Sequence, residues 1–294
     1  MKVSVIVPTL HSPLLGEVLQ SLSRQRAAEA ITEIIVVGQT HPALVPPPAQ
    51  LIVTERPVAA AVARNIGARH ASGDILLFID SDCIAHPQLV ERHLRQQQAG
   101  YTVVGGSVAI EEPDAYWRLC DNVLTFTPFL STMPPGQRDY LPSLNLSIRR
   151  AIFAEVGGFD ERYAGAAGED VDLSFRLRKR GYPLIFAPDA QVSHRPMRSN
   201  PATVAQHLRA FGRIHAIMHR TYNAKSRVVN AIDLHSWAAL LIAAAPFLAT
   251  LDVFKMYRHY PQIRQYWQCL PGMVWGKSAW YWGYAEALFA QRRP

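Results

Sequence analysis

Gly73-Asp74-Ile75-Leu76-Leu77-Phe78-Ile79-Asp80-Ser81-Asp82 is the stretch on which the fold turns. Five consecutive apolar residues, Ile75–Ile79, leave no polar face, as in a strand covered on both sides within a parallel sheet. The run stops abruptly in two carboxylates at i and i+2. Upstream, an apolar run at 3–7 ends at Pro8, and a helix is expected over 13–27 with Leu15, Val18, Leu19 and Leu22 on one face. Further strands are expected at 34–37 and 51–54, the second following Pro46-Pro47-Pro48, with an Ala-rich helix at 58–70. Strands alternating with helices imply right-handed crossovers and a parallel sheet. Ligands of such sheets lie beyond the carboxyl ends of the strands, which places Pro8-Thr9 and Asp80–Asp82 at one mouth.

Downstream of Asp82 the character changes. A strand is expected at 102–110 through Gly105-Gly106, then an aromatic-rich irregular or helical stretch at 113–135. A short strand at 144–148, a helix at 150–156 ended by Gly157-Gly158, and a helix at 170–180 stopped by Gly181 follow. Strands at 184–186 and 191–193 flank Pro188, and from Pro201 onward the pattern is helical.

Asp80-Ser81-Asp82 has two readings. Asp and Ser favour turns, yet carboxylates on a sheet edge that faces ligand also suit Mg²⁺ or Mn²⁺ held against phosphates. Gly168-Glu169-Asp170 likewise reads as an acidic helix start that meets the dipole, or as a general base at Asp170. Asp172 and Arg176 are spaced to pair across one turn. The run 163–168 reads as a loop over a ligand. His194 gains interest if its strand end returns to the Asp82 mouth. His215 and His219 have zinc-pair spacing, but the glutamate of an HExxH helix is missing, so a basic helical face is the expected reading.

Charge divides the 294 residues unevenly. Residues 1–200 hold 19 Lys+Arg against 20 Asp+Glu, whereas 201–294 hold 11 against 3, together giving the net charge of +7. Five of six tryptophans also lie beyond residue 200. A neutral body with a basic, Trp-rich tail suits an anionic bilayer interface and argues against nucleic acid, which would need basic residues across the body. Apolar content of 49% excludes a disordered chain, and three separated cysteines exclude a disulfide scaffold. After Met1-Lys2 the chain runs straight into strand residues, too short for a signal segment, so the expected location is cytoplasmic, peripheral on the inner face of the membrane. The apolar run from Trp237, interrupted by Pro246, is expected to form an interfacial or re-entrant helical pair with residues 270–290.

Four blocks in order resemble a family 2 glycosyltransferase of the GT-A fold: residues 3–9, residues 63–68 (Ala-Arg-Asn-Ile-Gly-Ala), residues 73–82, and 145–194 including Gly157-Gly158-Phe159-Asp160-Glu161 and Gly168-Glu169-Asp170. The resemblance implies an α/β fold with a Rossmann-like, mostly parallel sheet over residues 1–200, divided into a nucleotide-sugar half (1–110) and an acceptor half (111–200). It implies that Pro8, Thr9 and Leu10 border the nucleotide, that Arg64 supports the donor site, and that Asp80 and Ser81 face the ribose side. Asp82 and His194 would hold a divalent cation, Mn²⁺ or Mg²⁺, on the diphosphate. Asp170 would be the base, with Glu169 and Asn145 towards the acceptor, a glycan or lipid-linked hydroxyl. Attack opposite the leaving group predicts inversion. The family's acidic turn after the second strand is replaced here by Gly38-Gln39-Thr40-His41, leaving Gln39 and Glu55 as base contacts and UDP as the default nucleotide. A sugar nucleotidyltransferase and a non-catalytic membrane-associated nucleotide-sugar-binding scaffold are the competing classes; the first lacks its Gly-rich phosphate loop.

Overall fold

The four N-terminal apolar runs become β1 (Val3–Leu10), β2 (Ile31–Gln39), β3 (Gln50–Val53) and β4 (Ile75–Ile79), all parallel and laid in the order β3-β2-β1-β4. Helices α1 (Leu15–Ser23) and α2 (Ala60–His70) provide crossovers. Every residue of β4 is buried, as its unbroken apolar run requires. The computed structural model describes residues 1–111, 115–163, 168–222 and 234–290.

Beyond β4 the expected mostly parallel sheet becomes mixed. The remaining strands are β5 (Cys83–Ala85), β6 (Val103–Ala109), β7 (Gly136–Gln137), β8 (Asn145–Arg149) and β9 (Leu184–His194), continuing the order β4-β8-β6-β9-β5 with β7 beside β9. Strand β8 is antiparallel to both β4 and β6. The cause is topological: the chain leaves β6 at the mouth end and comes back at the same end, where the Asp80 amide donates to the Leu144 carbonyl. Pro188 does not split β9; a register shift between Gly106 and Ser107 absorbs it, and Ser107 Oγ donates to the Pro188 carbonyl at 2.8 Å.

Helix α3 (Leu89–Gln98) has no counterpart among the sequence expectations. Its buried face mixes Leu89, Val90 and Leu94 with His93 and Gln97, which dilutes the apolar periodicity. Both ring nitrogens of His93 are engaged, Nδ1 with Ser147 Oγ at 2.9 Å and Nε2 with Asn145 Oδ1 at 2.8 Å. Burial pushes its pKa down to about 4. Helices α4 (Tyr116–Phe126), α5 (Arg150–Glu155) and α6 (Glu169–Lys179) complete the stretch to residue 195.

Contacts divide the chain into two units, Met1–Ile110 with Phe129–Arg195, and Glu111–Pro128 with Pro196–Pro294. The sheet belongs to the first. The second groups α4 with α7 (Pro201–Tyr222), α8 (Leu234–His259) and α9 (Leu270–Ala290). Helices α7 and α9 pack at backbone distance: a Cβ on Gly212 would collide with the Trp280 carbonyl, and one on Gly283 with the Arg209 carbonyl. Asp121 of α4 is fully buried, taking Arg198 Nε at 2.7 Å and pairing with His207 Nδ1 at 2.8 Å. The His215 ring packs tilted against Trp280, and the His219 side chain falls outside the described residues.

Helix α8 continues through Pro246 for 26 residues, and Ala238–His259 is long and apolar enough to cross a membrane by length and composition. Ala238, Ala245, Ala249 and Val253 form its buried stripe; Leu240, Phe247, Leu251 and Phe254 lie exposed on the opposite face.

Candidate functional site

The carboxyl ends of β1 and β4 open onto one mouth, and Arg64 of α2 lies at its base. The guanidinium is only 2% exposed. Its Nη2 meets Asp80 Oδ1 at 2.6 Å and its Nη1 meets Glu169 Oε1 at 2.8 Å. Burial opposes the charge, but the two carboxylates outweigh it and hold Arg64 as a cation. A buried arginine thus ties the acidic turn after β4 to the start of α6, 105 residues apart in sequence from Arg64 to Glu169. Glu169 is turned inward to this ion pair, with Oε2 lacking a hydrogen-bond partner among the described residues.

Asp170 follows on the first turn of α6. Its carboxylate accepts from the Val171 amide at 2.8 Å and from the Ser143 amide at 3.4 Å. Desolvation, then the neighbouring Glu169 charge, raises its pKa to about 7, against the lowering influence of Arg64. A carboxylate tuned to neutrality and still partly exposed is equipped to take a proton from a bound hydroxyl. Gly168, at φ +94°, supplies the left-handed turn into the helix. The loop expected over a ligand falls largely on 164–167, outside the described residues.

Asp82 and His194 meet because β5 pairs antiparallel with β9 in the register Cys83↔His194. The Arg195 amide donates to the Asp82 carbonyl at 2.8 Å, and His194 Nε2 lies 3.6 Å from Asp82 Oδ2. The ligand atoms of Asp82, Cys83 and His194 all lie within 4.8 Å of one another. Burial and the flanking Asp82 and Asp80 charges push the Cys83 thiol well up. Asp82 offers a carboxylate and His194 an imidazole, donors that suit a hard cation such as Mn²⁺, which prefers them to a thiol and completes its shell with phosphate oxygens or water. The residues present fit the ion. Cys83 drew no role from the sequence; its place beside the pair comes from the β5–β9 register alone.

The nucleotide-side residues line the ends of β1 to β3. Pro8 and Thr9 are buried and Leu10 is exposed. Gln39 Nε2 donates to the Thr54 carbonyl at 3.3 Å, and Glu55 stands exposed just beyond. The hydroxyls of Thr9, Thr40 and Thr54 are buried without hydrogen-bond partners among the described residues. Such valencies are costly unless a ligand or water meets them. Gly38, at φ +136°, is demanded by the close approach of Thr9, whose carbonyl a Cβ would strike. Ser81 contributes its carbonyl to Ser12 Oγ at 2.6 Å.

Asn145 does not join the mouth. It is 1% exposed, its oxygen engaged by His93 and its nitrogen donating to Ala190 O at 2.9 Å and Ser107 O at 3.2 Å. It braces the shifted register of β9 where the sequence offered it towards the acceptor. Asp172 pairs with Arg176, Nε to Oδ2 at 2.7 Å, as their spacing predicts.

The family described as "Glycosyltransferase like family 2" matches residues 1–212. Glycosyltransferase AglE of Haloferax volcanii is 29% identical over 146 residues, 49% of this chain and 47% of AglE. Validoxylamine A glucosyltransferase of Streptomyces hygroscopicus subsp. limoneus is 28% identical over 226 residues, 64% of this chain and 50% of the relative. N-acetylglucosaminyl-diphospho-decaprenol L-rhamnosyltransferase of Mycobacterium tuberculosis is 41% identical over 80 residues, 26% of each chain. The chain thus spans about half the length, or less, of these curated relatives. The crystal structure of GalNAc-T7 with UDP, GalNAc and Mn²⁺ superposes with a TM-score of 0.54 at 16% identity, covering 71% of this chain and 47% of that one. The family match spans residues 1–212, from β1 into α7, and on it this chain belongs to the family 2-like glycosyltransferases, with a GT-A fold followed by C-terminal helices.

Proposed function

We propose that the chain is an inverting, metal-dependent glycosyltransferase that moves a sugar from a nucleoside-diphosphate donor to a hydroxyl of a glycan or lipid-linked acceptor. The observation that carries this reading is that Arg64 ties an acidic turn suited to a cation on a diphosphate to Glu169, next to the Asp170 carboxylate tuned to about pH 7. Asp82 and His194 hold the cation, which when bound neutralises charge on the leaving diphosphate. The unpartnered hydroxyls of Thr9, Thr40 and Thr54 give the donor neutral polar contacts, in keeping with a UDP-sugar. Asp80, fixed by Arg64, faces the ribose side. As the acceptor oxygen bonds to the anomeric carbon, the bond to the diphosphate oxygen breaks and the hydroxyl proton passes to Asp170. Attack from the face opposite the leaving group inverts the anomeric centre. Orienting the two substrates is the protein's main further contribution.

The second unit supports an acceptor presented at a membrane on the cytoplasmic face. The exposed stripe Leu240, Phe247, Leu251 and Phe254 leads into exposed Lys255, Arg258 and Arg264 and an exposed Trp267. Apolar, aromatic and cationic groups in that order match acyl chains, interface and anionic headgroups.

The reading is tested by calorimetric titration of UDP with and without Mn²⁺. The wild type is expected to bind UDP at least tenfold tighter with the metal, and Asp82→Ala to lose that increment. Equal enhancement in both proteins contradicts the assignment.

A further inference from the structure

Gly157-Gly158-Phe159 is gripped from two sides. Asn65, the residue after Arg64 on α2, is buried and holds both backbone groups of Phe159: its Nδ2 donates to the Phe159 carbonyl at 2.8 Å and its Oδ1 accepts the Phe159 amide at 3.0 Å. From α6, Arg176 donates to the Val156 carbonyl and to the Gly158 carbonyl, each at 2.7 Å. Gly158 is at φ +70°, and a Cβ there would stand 2.7 Å from Asn65 Oδ1, so the turn can sit this close only with glycine.

What the grip fixes is the Phe159 ring. It is 2% exposed, packed edge-on against Phe78 with centroids 5.2 Å apart and against Phe153 at 5.5 Å. The Arg64 guanidinium carbon lies over it, 5.4 Å from the ring centroid. Arg64 Nε has no hydrogen-bond partner among the described residues, so beyond its two carboxylates the guanidinium is steadied by this aromatic face.

We propose that Phe159, clamped by Asn65 and Arg176, is a positioning residue that holds the Arg64 guanidinium between Asp80 and Glu169. The inference rests on the reading of Asp170 as the base. Among the described residues, the charged groups that act most on Asp170 are Glu169 and Arg64. An Arg64 free to swing away from Glu169 withdraws the positive charge, leaves the Glu169 charge less compensated, and makes the Asp170 proton harder to remove. The clamp thereby acts on the base without touching a substrate.

The test needs no substrate. Protein labelled with [γ-¹³C]aspartate is titrated by NMR without metal or nucleotide, the Asp170 signal being assigned by its loss in Asp170→Asn. Phe159→Leu, which keeps an apolar side chain but removes the ring, and Asn65→Ala, which releases the backbone, are each expected to move the Asp170 midpoint upward by half a pH unit or more. Phe159→Tyr, which restores the ring face, is expected to stay within about 0.2 of wild type. Thermal melts confirm that each variant is folded at the temperature used; where Asn65→Ala is not, Phe159→Leu decides. An unmoved midpoint in folded Phe159→Leu, or a shift that Phe159→Tyr does not reverse, overturns the proposal. Because no transfer is measured, that failure is distinct from failure of Asp170 to act in catalysis, which a transfer assay of Asp170→Asn reads.

Discussion

At the scale of single residues, the mouth is governed by two buried charges that need each other. Removing the cation at Arg64 with Arg64→Met leaves the Glu169 carboxylate buried without its partner and takes the counter-charge from the part-exposed Asp80. The expected cost is about 3–5 kcal/mol of folding stability, measured by urea unfolding at pH 7.5. Asp170 works in the opposite sense. Its native pKa of about 7 lies above the unfolded value, so between roughly pH 4 and 7 the folded state keeps a proton that the unfolded chain loses. Stability falls as pH rises through that window, and the penalty is complete above it. Asp170→Asn is therefore expected to unfold like the wild type near pH 4 and to be about 1–3 kcal/mol more stable at pH 8, the figure discounted for partial exposure. The same midpoint should set an acid limb near pH 7 in the wild-type kcat/KM profile. Asp80, Asp82 and Asp170 could be singled out in the sequence because carboxylates after an apolar strand or at a helix start belong to a short menu of chemistries. The part played by Phe159, and the inward turn of Asn145, could not, since an aromatic ring or an amide carries no sign of which way it faces.

At the scale of elements, the parallel half of the sheet was legible because each strand carries a mainly apolar run between turn signals. The register of β5 on β9 was not, although it alone brings Asp82 beside His194. Pairing across 111 residues leaves no local trace (Cys83 to His194), and a strand of three residues has no periodicity to read. Helix α3 went unread for a different reason, its inward face being partly His93 and Gln97. The β1–β2 contact offers its own test. Gly38 sits at φ +136° with the Thr9 carbonyl where a side chain would go. Gly38→Ala is expected to cost about 1–3 kcal/mol from backbone strain alone, with the collision added to it. It should also weaken UDP binding, as read by thermal melts and calorimetry, because the disturbed pair of strands carries Thr9 on β1 and Gln39 on β2.

Across the whole molecule, the net charge of +7 describes neither half: residues 1–200 sum to −1 and residues 201–294 to +8. That asymmetry was visible without coordinates. The fold adds that α4 (Tyr116–Phe126), which carries one arginine and one aspartate, groups with the C-terminal helices through Asp121. The α8 stripe can be tested in the intact chain. Phe247→Ser/Leu251→Ser/Phe254→Ser changes only exposed positions, and is expected to lose co-sedimentation with phosphatidylglycerol-containing vesicles while keeping UDP binding. Undiminished sedimentation would remove the membrane from the account. Donor binding and acceptor activation reside in separate groups of one mouth, a separation that Asp170→Asn puts to the test. Once a thermal-shift screen of nucleotide sugars with Mn²⁺ has identified the donor, transfer to acceptor and Mn²⁺-dependent nucleotide binding are measured on the same preparation. The account predicts transfer reduced at least about a hundredfold with binding within threefold of wild type; loss of both, or of neither, would contradict it.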